Sequence, residues 1–457
     1  MAVKPQVMEN SLNATSVDIL NFIRAGASAN YKDYVPKAEN TAESVKEIGG
    51  VIMQYQALRN EFLSALVNRI GRVMITSKMY TNPLAVFKKG EMEFGETMEE
   101  IFVNIANVHS YNPEVAEEKV FEREIPDVRA AFYILNYQKF YKATIQNNSL
   151  KQAFLSWNGV SDLIARIVDS MYTGAAYDEY ITAKYALARN ILDGRFYPVE
   201  VPTVNKANMS DVAAGIKGIS NELEFMSPQY NIAGVTTHTP KGDQYLISTA
   251  QFDANMDVDV LSSAFNMSKA EFMGHRMVID SFGKADTKRL SQLYAGDPNY
   301  RPFTDAEIEA LNTIPAILID WNFLVMFDNL AEFTENFNGE GMYWNYWYHV
   351  WKTFGVSPFA NAIVFVQGTP TVTSVTLTPA TATVSKGQAV QLTATVEGTN
   401  FVSKAVDYTF EPAAQGISID PAGVVTISPD TDATSITVTA ASVADPTKTA
   451  TAKITIS

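Results

Sequence analysis

The chain has no cysteine and only four histidines in 457 residues. The first absence excludes disulfides, thiol chemistry, iron–sulfur clusters and thiolate zinc sites. Positive charge is also scarce: 35 Lys and Arg stand against 50 Asp and Glu, a net charge of −15. A dedicated nucleic-acid binder carries the opposite balance. Long apolar runs are missing as well. The most apolar stretch, Ile314–Phe327, is interrupted by Pro315, Asp320 and Asn322, which makes it too short and too polar to span a bilayer. The opening MAVKPQVMEN has no apolar segment of a secretory signal, so synthesis in a cytoplasm is expected.

Motifs of catalysis are missing too. No G-x-S-x-G, Walker A or G-x-G-x-x-G sequence occurs. His109, His238, His275 and His349 are scattered, with no H-x-x-x-H pair. His349, set among aromatics, reads as a core histidine. Asp253, Asp257 and Asp259 in DANMDVDV lack the spacing and glycine of a calcium loop and read instead as carboxylates near a helix start. No catalytic residue, metal site or cofactor is therefore expected.

What remains is a chain able to bury a large core, 47% hydrophobic and only 19% charged, with a break in composition. From Thr369 to Ser457 there is no Trp, Met, His or Arg, while 20 of these 89 residues are Thr. Gly368, Thr369 and Pro370 read as a linker. Before it, helical and extended patterns mix. A short helix is expected at Val17–Arg24. A longer one runs from Val45 to Ile70, where Val45, Ile48, Ile52, Tyr55, Leu58, Phe62, Leu66 and Ile70 recur at helical spacing, with Asn40 as its cap and Glu43 as capping partner. A second long helix, capped by Ser161 and stopped by Gly194, is expected over Ser161–Asp193 as a spine for other elements. Between these helices, Val73–Tyr80 reads as a strand, and FKKGEMEFGET (Phe87–Thr97) as a hairpin with one charged face. The acid-rich Glu114–Glu124 follows.

Residues 72–132 show no compact core of their own. They read as a projecting arm buried by another copy, because an isolated hairpin is marginal in water. Its candidate intersubunit residues are Phe87, Lys88, Lys89, Glu91, Glu93, Phe94, Glu122, Arg123 and Glu124. The two lysines are a weak case for phosphate contact and could equally pair with acids of a neighbouring subunit. Beyond the spine, Val258–Asn266 and Lys269–Met273 read as helices, His275–Ile279 as a strand, Ala316–Phe327 as a buried strand pair, Met342–Trp351 as a strand covered on both faces, and Phe359–Val366 as a closing strand. After the linker, β-branched alternation marks strands at Val372–Leu377, Ala389–Val396, Val406–Phe410, Ile417–Ile419, Val424–Ile427, Ser435–Ala440 and Lys453–Ile456, the spacing of a β-sandwich. The fold class is α+β followed by an all-β unit.

Several segments closely resemble the major capsid proteins of phi29-like podophages. These are NRIGRV (Asn68–Val73), NPLAVFKKG (Asn82–Gly90), KVFEREIPDV (Lys119–Val128), FYKATIQNNSLKQAFLSW (Phe140–Trp157), DVDVLSSAFNM (Asp257–Met267), VMFDNL (Val325–Leu330), MYWNYWYHVW (Met342–Trp351) and FANAIVFV (Phe359–Val366). Residues 369–457 resemble bacterial immunoglobulin-like (Big) domains through SVTLTP (Ser374–Pro379), Gly387–Val396 and the closing TAKITIS. The usual third-strand Trp is absent, with Tyr408 or Phe410 in its place.

The resemblance implies a Hong Kong 97-type capsid fold in residues 1–368, with the arm at about 72–140, the spine at about 161–193 and an axial region at about 195–365. A sandwich on the outer surface follows. It implies self-assembly into pentamers and hexamers of an icosahedral or prolate head, formed in the host cytoplasm. The partners implied are a scaffolding protein, a portal at one vertex, weakly held double-stranded DNA, no membrane, and host-surface sugars at the appended domain. No residue argues for covalent cross-linking. The alternative is a bacterial surface or adhesion protein carrying a Big domain.

Overall fold

The computed structural model describes residues 16–73, 80–92, 97–106, 108–109, 126–146, 159–205, 208–257 and 275–457. The chain starts with helices α1 (Ser16–Gly26), α2 (Ala29–Tyr34), α3 (Ala42–Gln54) and α4 (Gln56–Val73). The expected single helix from Val45 is thus two, broken where Tyr55 turns extended at φ −113° and ψ 119°. The break lets both apolar stripes reach one core: Val45, Ile48 and Ile52 on α3 meet Leu58, Phe62 and Leu63 on α4. A straight rod could not fold its two halves against each other. The cap is Thr41, not Asn40; its Oγ1 accepts from the Ser44 N–H at 3.3 Å. Thr41→Ala should therefore cost about 1 kcal/mol in urea denaturation, and Asn40→Ala should leave stability unchanged.

Helix α5 (Gly159–Leu192) has 34 residues and is about 50 Å long. It begins before Ser161, so that residue lies in the first turn rather than capping it. Gly194, at φ +67°, ends it. Met171, Ala175, Ile181, Ala183, Leu187, Ala188 and Ile191 are buried along it, as the periodicity requires.

Two sheets flank this helix. In the first, strand β1 (Lys88–Glu91) lies parallel to β9 (Leu324–Asn338), which pairs antiparallel with β10 (Tyr343–Val356), followed by β4 (Tyr137–Gln146). On β10, Trp344 and Tyr346 are buried against the N-terminal helices, whereas Asn345, Trp347 and His349 on the other face are only half-covered. In the second sheet the order is β5 (Tyr197–Val201), β11 (Ala362–Gln367), β8 (Ala316–Asp320), β6 (Gln244–Thr249) and β7 (His275–Ile279). Every residue of β8 is buried, as befits a strand covered on both faces. The expected Ala316–Phe327 pair is in fact β8 and β9. They diverge at a turn where Asp320 Oδ1 accepts from the Asn322 N–H at 2.7 Å, and they enter different sheets.

Short helices α6 (Met209–Glu222), α7 (Ala250–Met256), α8 (Thr287–Leu293) and α9 (Asp305–Asn312) complete this part. A separate two-stranded ribbon pairs β2 (Met98–Val103) with β3 (Val128–Tyr133). The expected helices at Val258–Asn266 and Lys269–Met273 lie outside the described residues, as do nearly all of the expected strand Val73–Tyr80 and the acid-rich Glu114–Glu124.

After Gly368 the chain forms nine strands in three small sheets. Strand β12 (Thr371–Thr378) pairs with β15 (Thr393–Thr399). Strands β13 (Thr381–Val384), β20 (Thr449–Ile456), β19 (Ser435–Ser442) and β16 (Val406–Glu411) form the second sheet, and β14 (Ala389–Gln391), β18 (Val424–Ile427) and β17 (Ile417–Ile419) the third. The expected Ala389–Val396 strand is split at Leu392, whose side chain drops into the core. The alternation of β19 and β20 buries Ile436, Val438 and Ile454 with Leu377, Leu392 and Val425, a cluster drawn entirely from this part of the chain.

Candidate assembly surfaces

Of the candidate arm residues, Phe87, Lys88 and Lys89 are engaged inside the subunit. Phe87 ends a 3₁₀ turn (Pro83–Phe87) and is fully buried, its ring 5.0 Å from that of Tyr245. Lys88 Nζ lies 2.9 Å from Glu179 Oε2 on α5 and 2.9 Å from Asp328 Oδ2 on β9. Lys352 on β10 reaches the same two acids, 2.5 Å from Glu179 Oε2 and in direct contact with Asp328. Asn82 Nδ2 donates to the other Glu179 oxygen at 2.7 Å. Two cations and two carboxylates thus close a neutral, largely buried cluster that joins β1, α5, β9 and β10.

Burial pulls the Lys88 ammonium down, but Glu179 and Asp328 outweigh it and hold the group above the ordinary lysine range. For Asp328, burial raises the carboxyl, and Lys352 with Lys88 brings it below the usual aspartate range. Lys89 differs. Its ammonium sits 3.0 Å above the centre of the Trp321 ring and donates to the Trp321 carbonyl at 2.7 Å; burial lowers it to about 8, against the pull of Asp320, Glu100 and Asp243. The expected hairpin at Phe87–Thr97 is corrected accordingly: Lys88–Glu91 is a strand docked on β9, because its partners are in the subunit's own core. Glu91 is exposed at the end of that strand. Glu93, Phe94, Glu122, Arg123 and Glu124 lie outside the described residues.

Among the described residues, the β2–β3 ribbon has an outer apolar face with no described partner. Its register pairs Glu99 with Phe132, Ile101 with Ala130 and Val103 with Val128, and all six residues face solvent. Ile101, Val103, Val128 and Phe132 are 52–65% exposed, and Ile105, Val108 and Ile134 extend the apolar face. The opposite face docks on its own subunit. Phe102 stacks on Phe359 at 5.6 Å. Tyr133 Oη donates to Glu100 Oε2 at 2.6 Å, and Ser357 Oγ to Glu100 Oε1 at 2.8 Å. Gly355 permits the approach, since a Cβ there would meet Tyr133 Cδ1 at 2.4 Å. Arg129 anchors the root through both Asp127 carboxylate oxygens, at 3.1 and 2.9 Å, and the Ala233 carbonyl. The ribbon is therefore rigidly seated with its apolar side outward. An exposed patch of this kind marks an interaction surface.

The spine is fixed by charges that its periodicity concealed. Asp178 is held by the Arg289 guanidinium and accepts from Tyr141 Oη at 2.7 Å. Lys184 contacts Asp280 and donates to the Lys284 carbonyl at 2.6 Å. Arg189 reaches Glu307 Oε1 at 2.7 Å and the Arg301 carbonyl at 2.9 Å. Their charged partners lie roughly a hundred residues away in sequence, so no local signal announces them. The carboxylates of Asp253 and Asp257 are bridged by Arg276, at 2.5 and 2.7 Å, and Asp259 lies outside the described residues. No cluster of metal-ligand type occurs among the described residues. No described helix is long and apolar enough to cross a membrane.

Comparison with known proteins gives these surfaces a context. The profile of the Phi29-like phage major capsid protein matches residues 20–366. The major capsid protein of Bacillus phage B103 is 37% identical over 430 residues, covering 92% of this chain and 89% of that protein. That of Bacillus phage PZA is 36% identical over 427 residues, with coverage of 92% and 89%. Among solved structures, the capsid of Staphylococcus phage Andhra superposes with a TM-score of 0.50 at 15% identity, covering 65% of this chain and 86% of that one. At that identity the likeness is one of fold.

Proposed function

The chain belongs to the Phi29-like phage major capsid proteins, and from that premise we propose which of its surfaces build the shell. Its role is structural: copies of such a protein form the capsid of the virion, and it is not an enzyme. The alternative of a bacterial adhesion protein has no support, because the family match spans residues 20–366.

The observation that carries the proposal is the outward apolar face of β2–β3. A second copy covers it in the shell, so residues 72–140 act as the intersubunit arm through Ile101, Val103, Val128 and Phe132. Of the residues assigned to that arm from sequence, Glu91, Glu93, Phe94, Glu122, Arg123 and Glu124 remain candidates for its contacts. Symmetric repetition of one such contact closes pentamers and hexamers, with a scaffolding protein guiding assembly and a portal at one vertex. The shell part holds 43 acids and 31 bases, which suits a container that touches double-stranded DNA without gripping its phosphates.

Residues 369–457 form an immunoglobulin-like sandwich of the Big type on the outer surface, where host sugars are its ligand class. Three sheets around a separate core support this reading. Electron microscopy of the purified or scaffold-coexpressed protein tests the whole: shells or capsomers are expected, and strictly monomeric material under every assembly condition overturns it. Deleting 369–457 should leave shells able to form. Loss of all assembly in that truncation would place the domain within the shell itself.

A further inference from the structure

The C-terminal unit is tied to the rest of the chain at a second point besides its linker. The turn after β15 holds Asn400 at φ 53° and Phe401 at φ 58°. A left-handed backbone is uncommon for any side-chain-bearing residue and is an outlier for one as bulky as Phe. Strain of this kind persists where surrounding contacts over-determine it, and the contacts are visible here. The Phe401 side chain leaves its own unit and packs against the main core of the shell part. Its neighbour Val402 stays behind, buried with Val372 and Val396.

Two residues further on, the Lys404 N–H donates to the Gly194 carbonyl at 3.1 Å, just beyond the end of α5. A Cβ at Gly194 would lie 2.5 Å from Lys404 Cγ and 2.9 Å from the Val402 carbonyl, so the missing side chain is what admits the turn. Asn400 Nδ2 also donates to the Thr369 carbonyl at 3.0 Å, stitching the turn to the linker. Beside this contact a cavity of about 860 Å³ lies between the two parts, bordered by Arg129, Arg195, Tyr408 and Asp420.

We propose that the Asn400–Phe401 turn is a latch that clamps the C-terminal unit to the C-terminal end of the spine helix, so that the two move as one body. A single peptide linker such as 368–370 leaves a unit free to swivel, which is the ordinary condition of joined domains. A second fixed point, reinforced by the partly buried Phe401 side chain, restricts that swivel. Any reorientation of the spine within a shell is then carried to the outer unit, and a force on the outer unit is delivered to the spine. This rests on the reading of 369–457 as a separately folded unit.

The absence of cysteine makes the test direct, because two introduced cysteines are the sole labelling sites. Spin labels at Lys288→Cys on α8 and Thr437→Cys on β19, both exposed, report the distance between the parts in the full chain. The parent is expected to give one narrow distance distribution, and Phe401→Gly one at least about twofold broader. Glycine adopts the left-handed turn freely, so the variant removes the plug and spares the turn. A broad parent distribution, or a variant as narrow as the parent, overturns the latch. The parent result decides on its own should the variant fail to fold. Failure of excised 369–457 to fold would count against the separate-unit reading and leaves the distance measurement unaffected.

Discussion

Glu179→Gln is expected to destabilise the subunit by about 3–5 kcal/mol, the usual cost of removing one partner from a buried ion pair. The substitution leaves Lys88 and Lys352 facing each other across a largely buried site with only Asp328 to neutralise them. Urea denaturation of the unassembled protein measures the loss. The double variant Glu179→Gln, Lys352→Met restores charge balance and should recover much of it, since a neutral replacement of the pair avoids the stranded charge. A single variant within about 1 kcal/mol of the parent would show the cluster to be wet and weak. The cluster also sets an acid limit. Asp328 titrates below the usual aspartate range in the folded chain, so its contribution is complete above that range. It is lost as the pH falls through the lowered value.

Ile101→Lys combined with Phe132→Lys is expected to abolish shell formation and leave the subunit folded. Both side chains point away from their own subunit, and exposed substitutions of this kind shift stability by about 0.5 kcal/mol or less. In an assembled interface, apolar anchors of this size contribute about 2 kcal/mol or more apiece, and a buried lysine adds a desolvation cost. Sedimentation should show the variant as subunits or small oligomers at concentrations where the parent forms shells. Shells of normal yield would mean that the ribbon's outer face is not a contact. Glu100→Ala, on the inner face, should instead remove the bond that ties the ribbon to Ser357, leave the Tyr133 hydroxyl of β3 without that acceptor, and lower stability.

The two expected results draw on parts of the chain that differ in how legible they are from sequence. The spine helix was readable because its apolar residues repeat at helical spacing, and its observed span differs from the expected one by two residues at the start and one at the end. The charges that fix it were not readable. Asp178, Glu179, Lys184 and Arg189 look like a solvated face until α8, α9, β1, β10 and the turn after β7 are brought alongside. Lys88–Glu91 failed for the same reason. Alternation in FKKGEMEFGET indicates a strand but names no partner, and the partner β9 lies some 240 residues on. The break at Tyr55 was hidden because an unbroken helical period fits both halves, and only the shared core requires the fold-back. The short C-terminal strands were the easiest part: turn residues separate them, and Ile417–Ile419 and Val424–Ile427 coincide with the observed strands.

The pairing inside the spine has a consequence for how such a shell is tuned. Asp178, Glu179, Lys184 and Arg189 each sit against an opposite charge, so the surplus of 15 negative charges is carried elsewhere on the chain. On the proposed contact, tiles that repel through the solvent and adhere through dry apolar faces respond to dissolved ions. The repulsion reaches about 10 Å at 0.1 M salt and shrinks to about 3 Å at 1 M, while the apolar adhesion is nearly indifferent to it. Ionic strength becomes a dial on the closure of the shell, turning one force down and leaving the other in place.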